Sequence, residues 1–318
     1  MTDDLMSLDY RAVVAGLTAE QRKRLLTKSD WHGLLHLAGH GAAIAILALL
    51  VVFGVWGWQL LMLPLGILII FLFTTLHEAI HGTAFRTDWL NRAVAHACGF
   101  LVLVPPTWFK SFHFAHHRHT QNREHDPELE SGKPENWPAY LAYLSGIPLW
   151  YGNLKVLFNN ALGWVSYAYL PERQRSRIIW EARLFLLEYA LLFAVSVLTE
   201  NAALLFVWIV PLLLGQPFLR AFLLAEHARC PHVADMLENS RTTFTWPVVR
   251  FVAWNMPYHA EHHANPNVPF WKLPEFHEIA GPHLRTTEHG YGRFHRKLSA
   301  SFAGISADEA IQVPSSQT

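Results

Sequence analysis

The chain has 318 residues, 52% of them hydrophobic and 16% charged, and its formal net charge is zero. Neutrality gives no footing for nucleic acid. Low charge combined with long apolar runs favours one membrane domain over the two soluble domains that this length would otherwise suggest. Two cysteines, Cys98 and Cys230, cannot build a disulfide framework or supply the four thiolates of an iron–sulfur cluster.

The first ten residues are acidic and polar, without the basic-then-apolar pattern of a cleavable signal peptide. Crossing a bilayer takes ~20 apolar residues, and four stretches qualify as spans: 39–56, 60–76, 184–198 and 202–225, the last interrupted by Pro211 and Pro217. Trp56 and Trp58 fall between the first two, where an aromatic belt would lie. The apolar stretch 93–106 is too short to cross and predicts a segment that dips in and returns, buried against protein. The stretch 137–170 is rich in Trp and Tyr with Lys155 its sole charge, which predicts interfacial helices, although a tight pair of extra spans would preserve the same sidedness. The Ser/Gln-containing end after Val313 reads as a short frayed tail.

Lys and Arg orient this arrangement. Residues 1–37 carry five, 77–183 eleven, and 220 onward nine, which is all 25 in the protein. The turns near Gly57 and at 199–201 carry none. Both termini are therefore expected in the cytoplasm. The expected fold is all-α, a single membrane domain over 1–318 forming an integral helical bundle of about four transmembrane helices. Its parts are a cytoplasmic segment (1–38), a first pair of spans (39–76), a cytoplasmic or interfacial region (77–183), a second pair (184–225) and a cytoplasmic end (226–318).

Eight of the 20 histidines fall in three short clusters: His77 and His81; His113, His116 and His117; and His259, His262 and His263. Spacings of three and four bring imidazoles to one helical face, where they can grip a metal. His227, at the end of the fourth span, is a ninth candidate. Nine imidazoles suit two metals. Imidazole serves iron, zinc, copper and nickel alike, so the chemistry decides: zinc has no redox and would need three or four of these ligands, whereas two irons can activate dioxygen against an unactivated C–H bond. Glu78, Glu226, Glu261, Asp126, Asn255 and His119 are placed to orient these rings or touch the substrate. His32, His36 and His40 form a stripe more often interfacial than metal-binding, and His232, His277, His283, His289 and His295 read as surface residues.

The three clusters resemble the histidine boxes of the membrane fatty-acid desaturase and hydroxylase superfamily: His-x3/4-His, His-x2/3-His-His and (His/Gln)-x2/3-His-His. The surrounding text, with His-His-Arg-His-Thr-Gln at 116–121, Asp-Pro-Glu-Leu at 126–129 and Asn-Met-Pro-Tyr-His-Ala-Glu-His-His at 255–263, is similar to a bacterial branch often labelled hydrocarbon or rhizopine-catabolism oxygenase. The resemblance covers roughly 40–280 and implies a cytoplasmic histidine-rich di-iron cap on a bacterial inner-membrane protein. It further implies dioxygen as co-substrate, a fatty acyl or hydrocarbon-like substrate that is desaturated or hydroxylated, and electrons from a separate ferredoxin, rubredoxin or cytochrome b5-type protein. It makes His227 the extra ligand between the second and third boxes. Two other classes compete. His77-Glu78-x-x-His81 matches the zinc-peptidase motif with Glu78 as general base, but leaves most of the clustered histidines idle. A metal transporter would carry its histidines within the spans.

Overall fold

The computed structural model describes residues 8–305; the first seven residues and the tail after Val313 lie outside them. Two short helices, α1 (Tyr10–Ala15) and α2 (Ala19–Leu26), precede α3 (Asp30–Val52). Thr18 and Gln21 close a reciprocal capping box that starts α2. A turn through left-handed Gly54 and Gly57 reverses the chain into α4 (Trp58–Ile70), which continues after Phe71 as α5 (Leu72–His81).

Among the described residues three helices are long and apolar enough to cross a membrane: Asp30–Val52, Trp58–His81 and Leu205–His227. The third of these opens with a π-helical turn, Leu205–Ile209, and continues as a regular helix, Val210–His227. It packs tightly on α4. A Cβ on Gly66 would stand 1.8 Å from the Pro211 carbonyl oxygen, and one on Gly215 would stand 2.2 Å from that of Gly66. Only glycine permits such contact, the small-residue packing that brings membrane helices together. From this crossing the two helices run about 17 and about 18 Å to His77 and His227 at 1.5 Å per residue, so both histidines arrive at one level.

Between these spans, α6 (Asp88–Leu101) and α7 (Pro106–His119) form two helices joined by a short turn within the apolar stretch 93–106. A Cβ on Gly99 would lie 2.4 Å from the Val104 carbonyl oxygen, and Val102 and Val104 are buried. The aromatic stretch folds as α8 (Trp137–Ser145) and α9 (Ile147–Ala161), each too short to cross a bilayer.

The expected third span behaves differently. It is the outer part of α10 (Arg175–Leu198), and it does not meet the apolar requirement because Glu181, Arg183 and Glu188 lie along it. These groups face protein: Glu181 accepts from the Thr107 N–H and hydroxyl, each at 2.7 Å, and Glu188 pairs with His96 at 3.1 Å. Leu187, Leu191, Phe193 and Leu198 are exposed on the remaining surface. The helix Val210–His227, α11, leads into the C-terminal region: α12 (Met236–Asn239), β1 (Thr242–Phe244), α13 (Pro247–Val252), α14 (His259–Ala264), α15 (Leu273–Ala280), β2 (Thr287–His289) and α16 (Tyr291–Ser301). Strands β1 and β2 pair in parallel, with Thr243 opposite Glu288, and α14 lies against the ends of α5, α7 and α11.

Candidate metal centre

The nine expected histidines meet in two adjacent clusters, but not box by box. His77, His81, His113, His117 and His262 offer nitrogens within 4.8 Å of one another, and His116, His227 and His263 do the same. His259 joins the second cluster, its Nε2 2.9 Å from that of His227. The second and third boxes are thus each divided. On α7, His113 and His117 are one turn apart and face the first cluster, while His116 is rotated by about 100° from its neighbour and faces the second. The six-residue α14 sends His262 to one side and His263 to the other. The rings of His117 and His263 stack at 4.1 Å, 11° from parallel, where the clusters touch.

Hydrogen bonds alone do not satisfy these rings. His113 Nε2 lies 3.0 Å from His81 Nε2 and 2.9 Å from His117 Nε2, and His227 Nε2 lies 3.1 and 2.9 Å from those of His116 and His259. A ring nitrogen carries one proton or one lone pair and cannot serve two such neighbours. Both nitrogens of His77 and of His262, and Nε2 of His263, are buried with no partner. Two nitrogens each about 2.1 Å from one metal, at right angles, stand about 3.0 Å apart, which matches these spacings. Tetrahedral ligands would stand about 3.4 Å apart, and the five imidazoles of the first cluster exceed the four of a structural zinc. Burial, reinforced by mutual repulsion, holds the His113, His117, His259, His262 and His263 imidazoles well below their ordinary pKa. They are therefore neutral, the form that binds metal. The residues fit two metal ions.

Acids and carbonyls hold the rings from behind. Asp126 Oδ1 faces His116 Nδ1 at 2.9 Å, and its other oxygen accepts from the Gln121 N–H at 2.9 Å. Glu78, fully buried, accepts from the Thr83 hydroxyl at 2.9 Å and from the Phe270 N–H at 3.2 Å, with His262 Nδ1 3.9 Å away. His227 Nδ1 points at the Asn239 carbonyl at 3.2 Å and His263 Nδ1 at the Thr120 hydroxyl at 3.2 Å. Glu226 reaches His259 Nδ1 at 3.3 Å and not its chain neighbour His227. Of the six expected supporting residues only Asp126 hydrogen-bonds one of the nine rings; Glu78 and Glu226 approach theirs without a hydrogen bond, and the other three lie elsewhere. Glu261 bonds Thr242 and His277, Asn255 donates to the Phe270 carbonyl at 3.0 Å, and His119 packs on His125 at 5.3 Å.

Sequence reasoning passed over Glu128, two residues after Asp126. Its Oε2 lies 3.4 Å from His116 Nε2 and its other oxygen 2.5 Å from Lys133 Nζ. Burial opposes charge on His116, yet Glu128 and Asp126 together raise it. The signal was present in Asp-Pro-Glu, where an acid-capped turn sends both carboxylates the same way. Two presumed surface histidines also carry structure: His277 holds Glu261, and His295 bridges Tyr140 (2.9 Å) and the Ala221 carbonyl (3.0 Å). The stripe His32, His36 and His40 stays outside both clusters, with His36 and His40 bonded to the carbonyls of Phe251 and Leu68.

Beside the clusters opens a cavity of about 640 Å³ that His77, His113, His116 and His259 line. Its walls are mostly apolar, including Ile70, Phe73, Trp108, Phe112, Leu219 and Met256, with Glu128, Glu130, Lys133, Arg220 and Glu226 as charged exceptions. An elongated apolar molecule fits such a space with one segment against the histidines.

The profile of the Fatty acid desaturase family matches residues 55–295. A zeaxanthin 4-ketolase of Chlamydomonas reinhardtii is 28% identical over 66% of this chain and 41% of its own length. A beta-carotene 4-ketolase 3 of Haematococcus lacustris is 25% identical over 66% of this chain and 59% of its own length. A beta-carotene ketolase of a Paracoccus species is 28% identical over 64% of this chain and 72% of its own length. The matched part thus spans about half the length of the first two relatives.

Proposed function

The chain belongs to the fatty acid desaturase family, and on that premise we propose that it is a membrane di-iron oxidoreductase that uses dioxygen to desaturate, hydroxylate or further oxidise an aliphatic or isoprenoid lipid. The observation that carries this reading is the convergence of nine imidazoles, seven of them buried, on two adjacent points at the wall of a mostly apolar cavity. His77, His81, His113, His117 and His262 would hold one iron, and His116, His227, His259 and His263 the other. A bound iron pair supplies dioxygen reduction and hydrogen removal from an unactivated C–H bond.

The protein's own groups would do the rest. Phe73, Trp108 and Phe112 hold the chain of the substrate and exclude water. Asp126, Glu226 and the Asn239 carbonyl fix the ring orientation of His116, His259 and His227. Burial opposes charge on Glu128, but Lys133 and His116 hold its carboxyl well below the ordinary range, so at the cavity wall it would act as an anion that helps hold His116. The relatives are ketolases by name, which favours repeated oxidation of one carbon in an isoprenoid over a single desaturation. The zinc-peptidase alternative fits less well, because the Glu78 carboxylate is fully buried and bonded to Thr83 and Phe270, where it cannot serve as general base to a peptide.

Sidedness follows from charge: α10 would be the fourth crossing, its charged groups turned to protein, with both termini and the histidines on the cytoplasmic side of a bacterial inner membrane. Electrons would come from a separate ferredoxin, rubredoxin or cytochrome b5-type protein. Purified protein should contain two irons per chain. With a reconstituted reductase it should place label from 18O2 into a lipid product, or form a double bond, by mass spectrometry of acyl, alkane and isoprenoid panels. One zinc per chain with no oxygen uptake would overturn the reading.

A further inference from the structure

Gln216 lies within the α11 span, fully buried, and neither its amide oxygen nor its amide nitrogen has a hydrogen-bond partner. A buried amide left unbonded is costly, and a hydrocarbon environment offers no water to relieve it. Its stem is held: Gly146 runs so close that a Cβ there would come within 2.3 Å of Gln216 Cγ. Gln216 is among the residues at the cavity wall.

Two further groups point the same way. Arg220, one helical turn along the same face, lines the cavity, rests its guanidinium carbon 3.7 Å from the centre of the Tyr143 ring, and leaves its buried Nε unbonded. Among the described residues no carboxylate pairs with it. A cation inside an apolar span that makes no ion pair marks a ligand site more often than a structural accident; the Glu128 and Glu226 carboxylates at the same cavity pair instead with Lys133 and His116, and with His259. Trp150, one turn after Gly146, also lines the cavity with its indole N–H buried and unbonded. Three donors and one acceptor thus stand unbonded on residues at the wall of a mostly apolar space, whose other charged residues are Glu128, Glu130, Lys133 and Glu226. Arg220 and Gln216 lie about 10 and 16 Å along α11 from His227, seven and eleven residues at 1.5 Å each.

We propose that Gln216, Arg220 and Trp150 form a recognition site for an oxygen atom on the non-reacting part of the substrate, so that the natural substrate is an elongated lipid bearing a carboxylate, hydroxyl or keto oxygen and not a plain hydrocarbon. The proposal rests on the lipid-oxidising reading of the cavity and specifies its substrate class. An apolar wall could not separate an oxygenated lipid from its hydrocarbon analogue, whereas a site built to bond an oxygen discriminates strongly against ligands lacking it.

The test uses the full-length, iron-loaded protein in micelles under anaerobic conditions, so that no turnover occurs. Displacement of a bound fluorescent lipid reports the affinities of hexadecane, hexadecan-1-ol, hexadecan-2-one and hexadecanoic acid. At least one oxygen-bearing probe should bind about tenfold tighter than hexadecane. Gln216→Leu should abolish that preference while leaving hexadecane affinity unchanged, and Gln216→Met should do the same. Neither variant should lower the thermal midpoint, since each removes an unbonded buried amide. Arg220→Met then names the oxygen: a loss confined to hexadecanoic acid identifies a carboxylate, and an equal loss for alcohol and ketone identifies a neutral oxygen. Equal wild-type affinity for all four probes, or a preference that survives in both Gln216 variants, overturns the proposal. Iron per chain, measured on the same preparation, tests the oxidoreductase reading separately, because equilibrium selectivity does not require turnover.

Discussion

Glu226 Oε1 lies 3.3 Å from Nδ1 of His259, across the centre from its own chain neighbour. His227 instead turns its Nδ1 to the Asn239 carbonyl. A carboxylate behind an imidazole fixes the tautomer and strengthens the ring as a donor, and losing it typically costs about 10- to 100-fold in metal affinity or activity. Glu226→Gln should therefore retain most of its iron and turn over about 10- to 100-fold more slowly, whereas His227→Ala and His259→Ala should lose iron. Metal analysis and turnover on the three variants check this. Iron loss in Glu226→Gln as complete as in His227→Ala would make Glu226 a ligand, and wild-type behaviour would leave it idle.

Glu128 carries a sharper expectation. A neutral imidazole bonded to Asp126 through Nδ1 presents its Nε2 lone pair to the Glu128 carboxylate 3.4 Å away. Two electron-rich atoms face each other stably only with a proton or a metal between them. Glu128→Gln should lower the iron bound by the second cluster and alter its Mössbauer signal while leaving that of the first cluster. Unchanged stoichiometry and spectrum would reduce Glu128 to the partner of Lys133.

His77→Ala, His117→Ala and His263→Ala each strike a different box, and each should abolish turnover and lower bound iron while the protein still inserts. Because the boxes are divided between clusters, His77→Ala should empty mainly the five-histidine cluster and His263→Ala mainly the other. Full activity in any of the three removes that box from the centre.

The composition of the centre was legible because ligand spacing is a local property: His77 and His81, or His113 and His117, sit one turn apart whatever the tertiary fold. The division of His116 from His113 and of His263 from His262 was not legible, since it depends on where α5, α11 and α14 meet α7. The partner of Glu226 was not legible for the same reason: adjacency in sequence suggests His227, while helical rotation carries neighbours about 100° apart. The long apolar runs behind α3, α4–α5 and α11 were read directly. Helix α10 was not, because Glu181 and Glu188 are satisfied by Thr107 and His96, contacts that exist only after folding. Gln216 drew no notice at all, because a lone amide in an apolar run has no pattern.

Glu288 gives a pH-dependent anchor outside the spans. Burial alone would raise its carboxyl, but Lys297 at 2.6 Å, the His289 N–H at 2.9 Å and Arg293 at 3.2 Å leave it below the ordinary 4.5. A depressed acid contributes stability above its unfolded value and loses it as pH falls through the folded one. Glu288→Gln should therefore lower the thermal midpoint at pH 7, with the gap to wild type closing as pH falls below about 4.5. A gap that is constant with pH would mean that packing of β2, and not charge, is what the substitution disturbs.

The turn after α10 tests sidedness directly. Asn201 is exposed, beside a turn without Lys or Arg, and Trp56 at the other such turn is fully exposed, as an aromatic at the membrane edge would be. Glu172, at the opposite end of α10, has 86% of its side chain exposed. Both native cysteines are buried, so a single introduced thiol reports alone. In intact cells Asn201→Cys should react with an impermeant maleimide, and Glu172→Cys should react only after lysis. About 24 residues of helix at 1.5 Å each separate the two ends by about 36 Å, enough to cross the ~30 Å hydrocarbon core. Labelling of both positions from outside would show that α10 does not cross. Labelling of Glu172→Cys alone would invert the protein and place the histidine clusters, with their electron donor, on the outer face.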